Sequence, residues 1–144
     1  MVYTGDADGR CEIFTWDRSS GSGRQLTDRP HGTLLCDIDG DEAVWWFDED
    51  RGGSGVWRTQ DFDGGPDRTA LAGVPAGRPA GLALTERGTV AVGIRGAGGF
   101  SVHLGRRGGR GTPSCARRTP PPCAIWRRTA DCWRCPGPRT PPEP

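Results

Sequence analysis

Four cysteines stand near the C-terminus, Cys115, Cys123, Cys132 and Cys135, and the last pair forms a Cys132-Trp133-Arg134-Cys135 knuckle. Two intervening residues let both thiolates reach one tetrahedral zinc ion, so a zinc centre is the first chemistry to weigh. Against it, only one such knuckle exists, and Cys115 and Cys123 are separated by an Arg- and Pro-rich stretch that would not frame ligands. A second group, Asp37-Ile38-Asp39-Gly40-Asp41-Glu42, resembles half of a calcium loop, because alternating carboxylates around a glycine can converge on a hard cation. It lacks the ligand order and the distal Glu of an EF-hand, and Asp and Gly are also what a tight hairpin requires. Of the two histidines, His31 lies in a Pro30-His31-Gly32 loop and His103 is expected on the polar face of a strand. No Gly-x-Ser-x-Gly elbow surrounds Ser54 or Ser101, so neither histidine has a nucleophile to serve. The residues therefore assign no catalytic, cofactor-binding or metal-ligating position.

The elements that would hold such residues are strands. Ala43-Val44-Trp45-Trp46-Phe47, an acidic glycine-rich turn through Asp48-Glu49-Asp50 and Gly52-Gly53, and Gly55-Val56-Trp57-Arg58 read as an aromatic β-hairpin. The unit recurs. Val2-Tyr3-Thr4, Asp6-Ala7-Asp8-Gly9-Arg10 and Cys11-Glu12-Ile13-Phe14-Thr15-Trp16-Asp17 form an earlier copy, and Thr89–Ile94 with Phe100–Leu104 a weaker later one. Aligning Tyr3, Trp45 and Val92 gives intervals of about 42 and 47 residues, matching the roughly 40 to 50 of a four-stranded propeller blade. Turns are expected at Asp63-Gly64-Gly65-Pro66-Asp67 and Gly73-Val74-Pro75-Ala76-Gly77. The fold expected is all-β, a partial β-propeller of about two and a half to three blades of antiparallel sheet with a disordered C-terminal tail. A closed propeller needs four to eight blades, so an open flank is expected, with no outer strand before Val2 to complete the first blade.

Trp16, Trp45, Trp46 and Trp57 are expected in the core, because both faces of a blade pack on neighbours and adjacent Trp45 and Trp46 must point to opposite faces. Cys11 and Cys36 read as small apolar residues rather than a disulfide. The residues after Met1 carry no charged start and apolar core of a signal peptide, and no apolar run approaches the roughly 20 residues of a membrane span. A cytoplasmic protein without a membrane partner is expected.

The chain divides by charge. Up to Gly105 there are 10 arginines against 16 acidic residues, whereas Arg106 onward holds 9 arginines against Asp131 and Glu143, so the net charge of +1 conceals two opposite halves. Residues 1–109 are assigned to the partial propeller and 110–144 to an Arg-, Pro- and Cys-rich tail. Three readings of the tail stand: a basic arm binding nucleic acid or an anionic surface, with Trp126 and Trp133 for stacking; the zinc site; and a GC-rich gene read in a shifted frame. The mixture of Arg, Pro, Ala, Gly, Cys and Trp, with no lysine anywhere in the chain, favours the third, and a nucleic-acid partner is not expected.

Several of these segments together resemble a known family. Val2-Tyr3-Thr4, Asp6-Ala7-Asp8-Gly9-Arg10, Glu12-Ile13-Phe14-Thr15-Trp16-Asp17 and Arg24-Gln25-Leu26-Thr27 resemble the blade pattern of the TolB-type propeller. With Val44–Asp50, Gly55-Val56-Trp57-Arg58, Phe62–Pro66 and Gly77–Ala83, the chain looks like the N-terminal propeller of actinobacterial serine peptidases of the prolyl oligopeptidase family, over about residues 1–109. The resemblance implies a lid that gates peptide entry to an α/β-hydrolase domain carrying the catalytic triad. None of the triad positions lies in this sequence, so the chain itself is expected to be inactive and to meet peptide substrate only through that missing domain. The other classes open are a free-standing TolB- or WD-repeat-like module, with a protein partner or self-association at exposed blade edges, and binding of anionic polymers through the tail.

Overall fold

A computed structural model describes residues 1–117. The chain there is all-β, and its eleven strands form three consecutive antiparallel sheets. The first holds β1 (Val2–Ala7), β2 (Arg10–Asp17) and β3 (Ser22–Gln25). The second holds β4 (Cys36–Ile38), β5 (Ala43–Glu49), β6 (Gly55–Asp61) and β7 (Gly64–Thr69). The third holds β8 (Arg78–Leu84), β9 (Thr89–Gly96), β10 (Gly99–Arg106) and β11 (Thr112–Arg117). Each sheet is a meander in chain order, and the arrangement is a partial β-propeller whose ring is not closed.

Local chemistry explains the hairpins. Between β1 and β2 the two-residue loop Asp8-Gly9 has φ of 54° and 79°, the doubly positive turn that Asp-Gly favours and whose twist matches the flanking strands. Ala7 consequently pairs with Arg10, and Tyr3 with Phe14. The reversal expected across Asp63–Asp67 is narrower than the sequence suggests: it is confined to Phe62-Asp63, and Gly64 already opens β7.

Sheet faces alternate along each strand, and the alternation builds two cores. Val44 and Trp46 meet Ile13 of the first sheet, with Val2 and Leu26 packed beside them. The intervening residues Trp45 and Phe47, with Trp57, meet Val90, Val92 and Ile94 of the third sheet. Both tryptophans are 1% exposed, as a blade packed on both sides requires. Trp45 thus faces the sheet that follows and Val92 the sheet that precedes, while Tyr3, paired with Phe14, faces away from the second sheet. Of the three residues matched at intervals of 42 and 47, Trp45 and Val92 lie on the second strands of their sheets and Tyr3 on the first of its own, and they do not share one face. A shift of one residue exchanges the faces.

Two more expectations change. Trp16 is 39% exposed, because it shares the outer face of the first sheet with Tyr3 and Phe14, on which no further sheet packs among the described residues. β1 lies beside β4, and β4 beside β8, so the sheets converge at their first strands. Among the described residues the first sheet holds three strands where the second and third hold four. Finally, Thr112–Arg117, assigned by composition to the tail, pair with β10 from Leu104 to Phe100 as the last strand of the third sheet. Gly111 N–H also donates to Ala72 C=O at 2.8 Å and Ala72 N–H to Gly109 C=O at 2.9 Å. Strand pairing thus continues past the boundary placed at 109, because a β-ladder needs only backbone groups and tolerates a poor side-chain pattern on an edge. Cys123, Trp126, Cys132 and Trp133, with the zinc, basic-arm and shifted-frame readings that rest on them, lie outside the described residues.

Candidate functional site

The acidic groups read from the sequence are engaged by the fold. Asp39 is nearly buried and accepts hydrogen bonds from Ala43 N–H at 2.9 Å, Asp41 N–H at 3.0 Å and the Trp45 indole N–H at 2.8 Å. Its two oxygens organise the turn into β5 and tether a core indole. Asp50 likewise accepts from Gly52 N–H at 2.7 Å and Ser54 N–H at 3.0 Å. Both segments are turns in which the Asp side chain caps its own backbone. Among the described residues no three His, Cys, Asp or Glu side chains are grouped to hold a metal. Cys11 and Cys36 are both half-buried.

Asp48 belongs to a different structure. It lies 3.6 Å from Arg29 and 3.9 Å from Arg58, and Asp67 completes the group, 2.8 Å from Arg58 and in direct contact with Arg29. Two guanidinium groups and two carboxylates thus clasp the first sheet's exit loop to the second sheet. Arg29 is delivered there by Glu12, a fully buried carboxylate that accepts from Thr27 Oγ1 at 2.5 Å and Arg29 N–H at 2.9 Å. Half of this was legible, since Asp48 faces Val56 and Arg58 is the diagonal neighbour on the same face of the β5–β6 hairpin. Arg29, Asp67 and Glu12 were missed, because their partners lie in other elements. The charges cancel within the cluster, so it stabilises a joint rather than recruiting a charged ligand.

The Arg58 hydrogen bond holds the Asp67 carboxyl below the usual carboxylate range, against the opposing effect of burial and with help from the Arg58 and Arg29 charges. Because the folded pKa is depressed, its contribution is complete above the unfolded value of about 3.9 and is lost as pH falls through the folded one. Asp67→Asn is expected to lower stability at pH 7 by about 1–2 kcal/mol. Urea titrations followed by circular dichroism should show the two proteins converging as pH falls through the folded Asp67 pKa.

His31 is exposed in its loop, as expected. His103 is not on a polar face: it is 5% exposed, on the side of β10 turned to the second sheet. Its Nε2 lies 3.0 Å from Ser101 Oγ, two residues away on the same face, and its buried Nδ1 has no hydrogen-bond partner. Burial lowers its pKa. A Ser–His contact with no carboxylate on Nδ1 lacks the group that orients the imidazole and stabilises its charged form in acyl-transfer sites, and its place inside a sheet joint leaves no room for a substrate.

The concave surface lies where the inner strands converge. A cavity of about 430 Å³ opens between the second and third sheets, walled by Leu35, Asp37, Trp57, Pro79 and Leu82, a volume within the range of ligand pockets. Its wall is mainly apolar and includes the Asp37 carboxylate, which also accepts from Ile38 N–H at 2.9 Å. No helix among the described residues is long and apolar enough to cross a membrane.

These features define a partial β-propeller with an apolar groove along its inner strands. Comparison with known protein families, with curated proteins and with solved structures finds no match for the chain.

Proposed function

We propose that the chain is a non-catalytic propeller segment that covers and gates the active site of an α/β-hydrolase domain of the prolyl oligopeptidase kind, in the cytoplasm. The resemblance of its hairpins to that family's propeller motivates the reading. The observation that supports it is the convergence of β4 and β8 on a mainly apolar groove of about 430 Å³, at the inner end of the sheets where such a propeller would face the domain set against it. The decisive test is the coding DNA beyond the Gly109 codon. A hydrolase domain with a Gly-x-Ser-x-Gly elbow in another frame is expected, and restoring that frame should yield a protein that reacts with a fluorophosphonate probe while the 144-residue chain does not. If no frame encodes such a domain, the lid reading is overturned.

The second reading is a free-standing protein-binding propeller module. It is favoured by the two sheet faces at the ends of the row that no other strand among the described residues covers, and it would survive the loss of the first.

A further inference from the structure

We propose that His103 makes the joint between the second and third sheets acid-sensitive: a proton on its imidazole releases the turn at 108–111 from the segment 70–72, while the contact of Gly55 with Gly77 stays closed as the hinge. The inference requires only these two sheets and does not depend on a hydrolase domain.

Two sets of backbone hydrogen bonds join these sheets among the described residues. In one, Gly55 and Gly77 exchange bonds of 2.9 and 3.1 Å. In the other, Gly108 N–H donates to Ala70 C=O at 3.1 Å, Ala72 N–H to Gly109 C=O at 2.9 Å and Gly111 N–H to Ala72 C=O at 2.8 Å. His103 lies under the second set. A Cβ built on Gly111 would stand 3.5 Å from the Cβ atoms of both His103 and Leu71, and 2.6 Å from Val74 Cγ2. The backbone that carries the last of these bonds is therefore packed between the histidine and the end of the second sheet, and a displaced imidazole displaces it directly.

The closed joint has no place for a charged ring. His103 is 5% exposed, its Nε2 is 3.0 Å from Ser101 Oγ, and its buried Nδ1 has no partner. Protonation turns both ring nitrogens into donors; Ser101 can accept from one, and the other becomes a buried, unanswered N–H of a cation. The packed surfaces offer it apolar groups: Val90, Val92 and Ile94 from β9, Trp45, Phe47, Trp57 and Leu71 from the second sheet, and Pro113 opposite it on β11. The charged groups of these elements are Arg106, Arg107 and Arg110 in the turn, Arg68 on β7, Glu49 at the Gly55 end of β5, and Asp61 at the end of β6. Asp61 is engaged by Arg107 at 2.6 Å and Arg68 at 3.4 Å, and Arg110 runs beside Gly73. Burial, with no charge opposing it, holds the His103 pKa below the ordinary 6.5. Because the folded pKa is depressed, the closed joint has its full stability above 6.5 and loses it as pH falls toward the folded value. Only an imidazole that reaches water accepts the proton without that penalty, so acid favours the open joint.

The test is amide hydrogen exchange by nuclear magnetic resonance on the full 144-residue chain, read as protection factors so that the intrinsic pH dependence of exchange is removed. Between about pH 7.5 and about pH 5, the Ala72, Gly108 and Gly111 amides of the wild type are expected to lose about tenfold in protection, and those of Gly55 and Gly77 to keep theirs. His103→Gln and His103→Phe, which cannot take up the proton, should lack the loss, and His31→Gln, at the other histidine of the chain, should retain it. A wild type whose protection is flat over this range, a loss shared equally by Gly55 and Gly77, or a loss that persists in either His103 variant overturns the proposal. Where neither His103 variant folds, the ring resonances of His103 in the wild type decide: titration below 6.5 is expected, and titration at 6.5 or above overturns the proposal.

Discussion

Trp45→Ala is expected to destabilise the protein by about 3–5 kcal/mol, the largest effect of any single substitution here. Trp45 is 1% exposed at the centre of the joint between the second and third sheets, so truncation empties a volume that rigid sheets on both sides cannot close. It also removes the donor held by Asp39 at 2.8 Å, leaving one oxygen of a nearly buried carboxylate short of a partner. Native stability is commonly 5–15 kcal/mol, so such a loss takes up most of the margin of a small domain. Thermal and urea denaturation followed by circular dichroism would show it as a low midpoint or as unfolding at room temperature. Trp16→Ala is the matched control. It deletes the same side chain from a surface position, and a monomer should lose well under about 1 kcal/mol. Equal losses for the two would contradict the facing of the sheets.

Gly55→Ala should cost about 1–3 kcal/mol, although it adds one methyl group. A Cβ at Gly55 would sit 1.9 Å from the Asp48 carbonyl oxygen and 2.7 Å from its carbon, backbone atoms that move only with the whole β5–β6 hairpin. The same residue ties two sheets together, exchanging hydrogen bonds of 2.9 and 3.1 Å with Gly77, where a Cβ would in turn meet Ile94 and Arg95. Displacing Gly55 therefore loosens a joint as well as a turn. Gly98→Ala is the control, since a Cβ there meets nothing within 4 Å. Hydrogen exchange should show faster opening around Gly55 and Gly77 in the first variant and none in the second.

Legibility in the sequence followed the strength of the local signal. The hairpins β1–β2, β5–β6 and β9–β10 could be read because alternation and glycine turns act over a few residues, and Asp8-Gly9 specifies its own turn. β7 and β11 were missed. β7 contains Gly64, Gly65 and Pro66, poor strand formers that are extended because a neighbouring strand offers hydrogen bonds. His103 sits in an alternating stretch, so periodicity placed it on one of two faces without saying which face was covered.

The same limit governs the candidate sites. Asp37–Glu42 forms a turn as Asp and Gly suggest, since Asp39 bonds to its own backbone within a few positions, whereas of Asp48–Asp50 only Asp50 does so, Asp48 and Glu49 belonging to β5. The Arg29, Arg58, Asp48 and Asp67 clasp joins residues up to 38 positions apart, and no short-range rule reaches that far.

By itself, then, the sequence determined that this chain is β-structured, where its hairpins turn, that Trp45 and Trp46 point to opposite faces, and that its three repeats make an open propeller rather than a ring. Tertiary structure alone decided which face of each sheet is inside. Alternation has a period of two and is blind to a shift of one residue, so only the presence or absence of a neighbouring sheet separates a core tryptophan such as Trp45 from an exposed one such as Trp16.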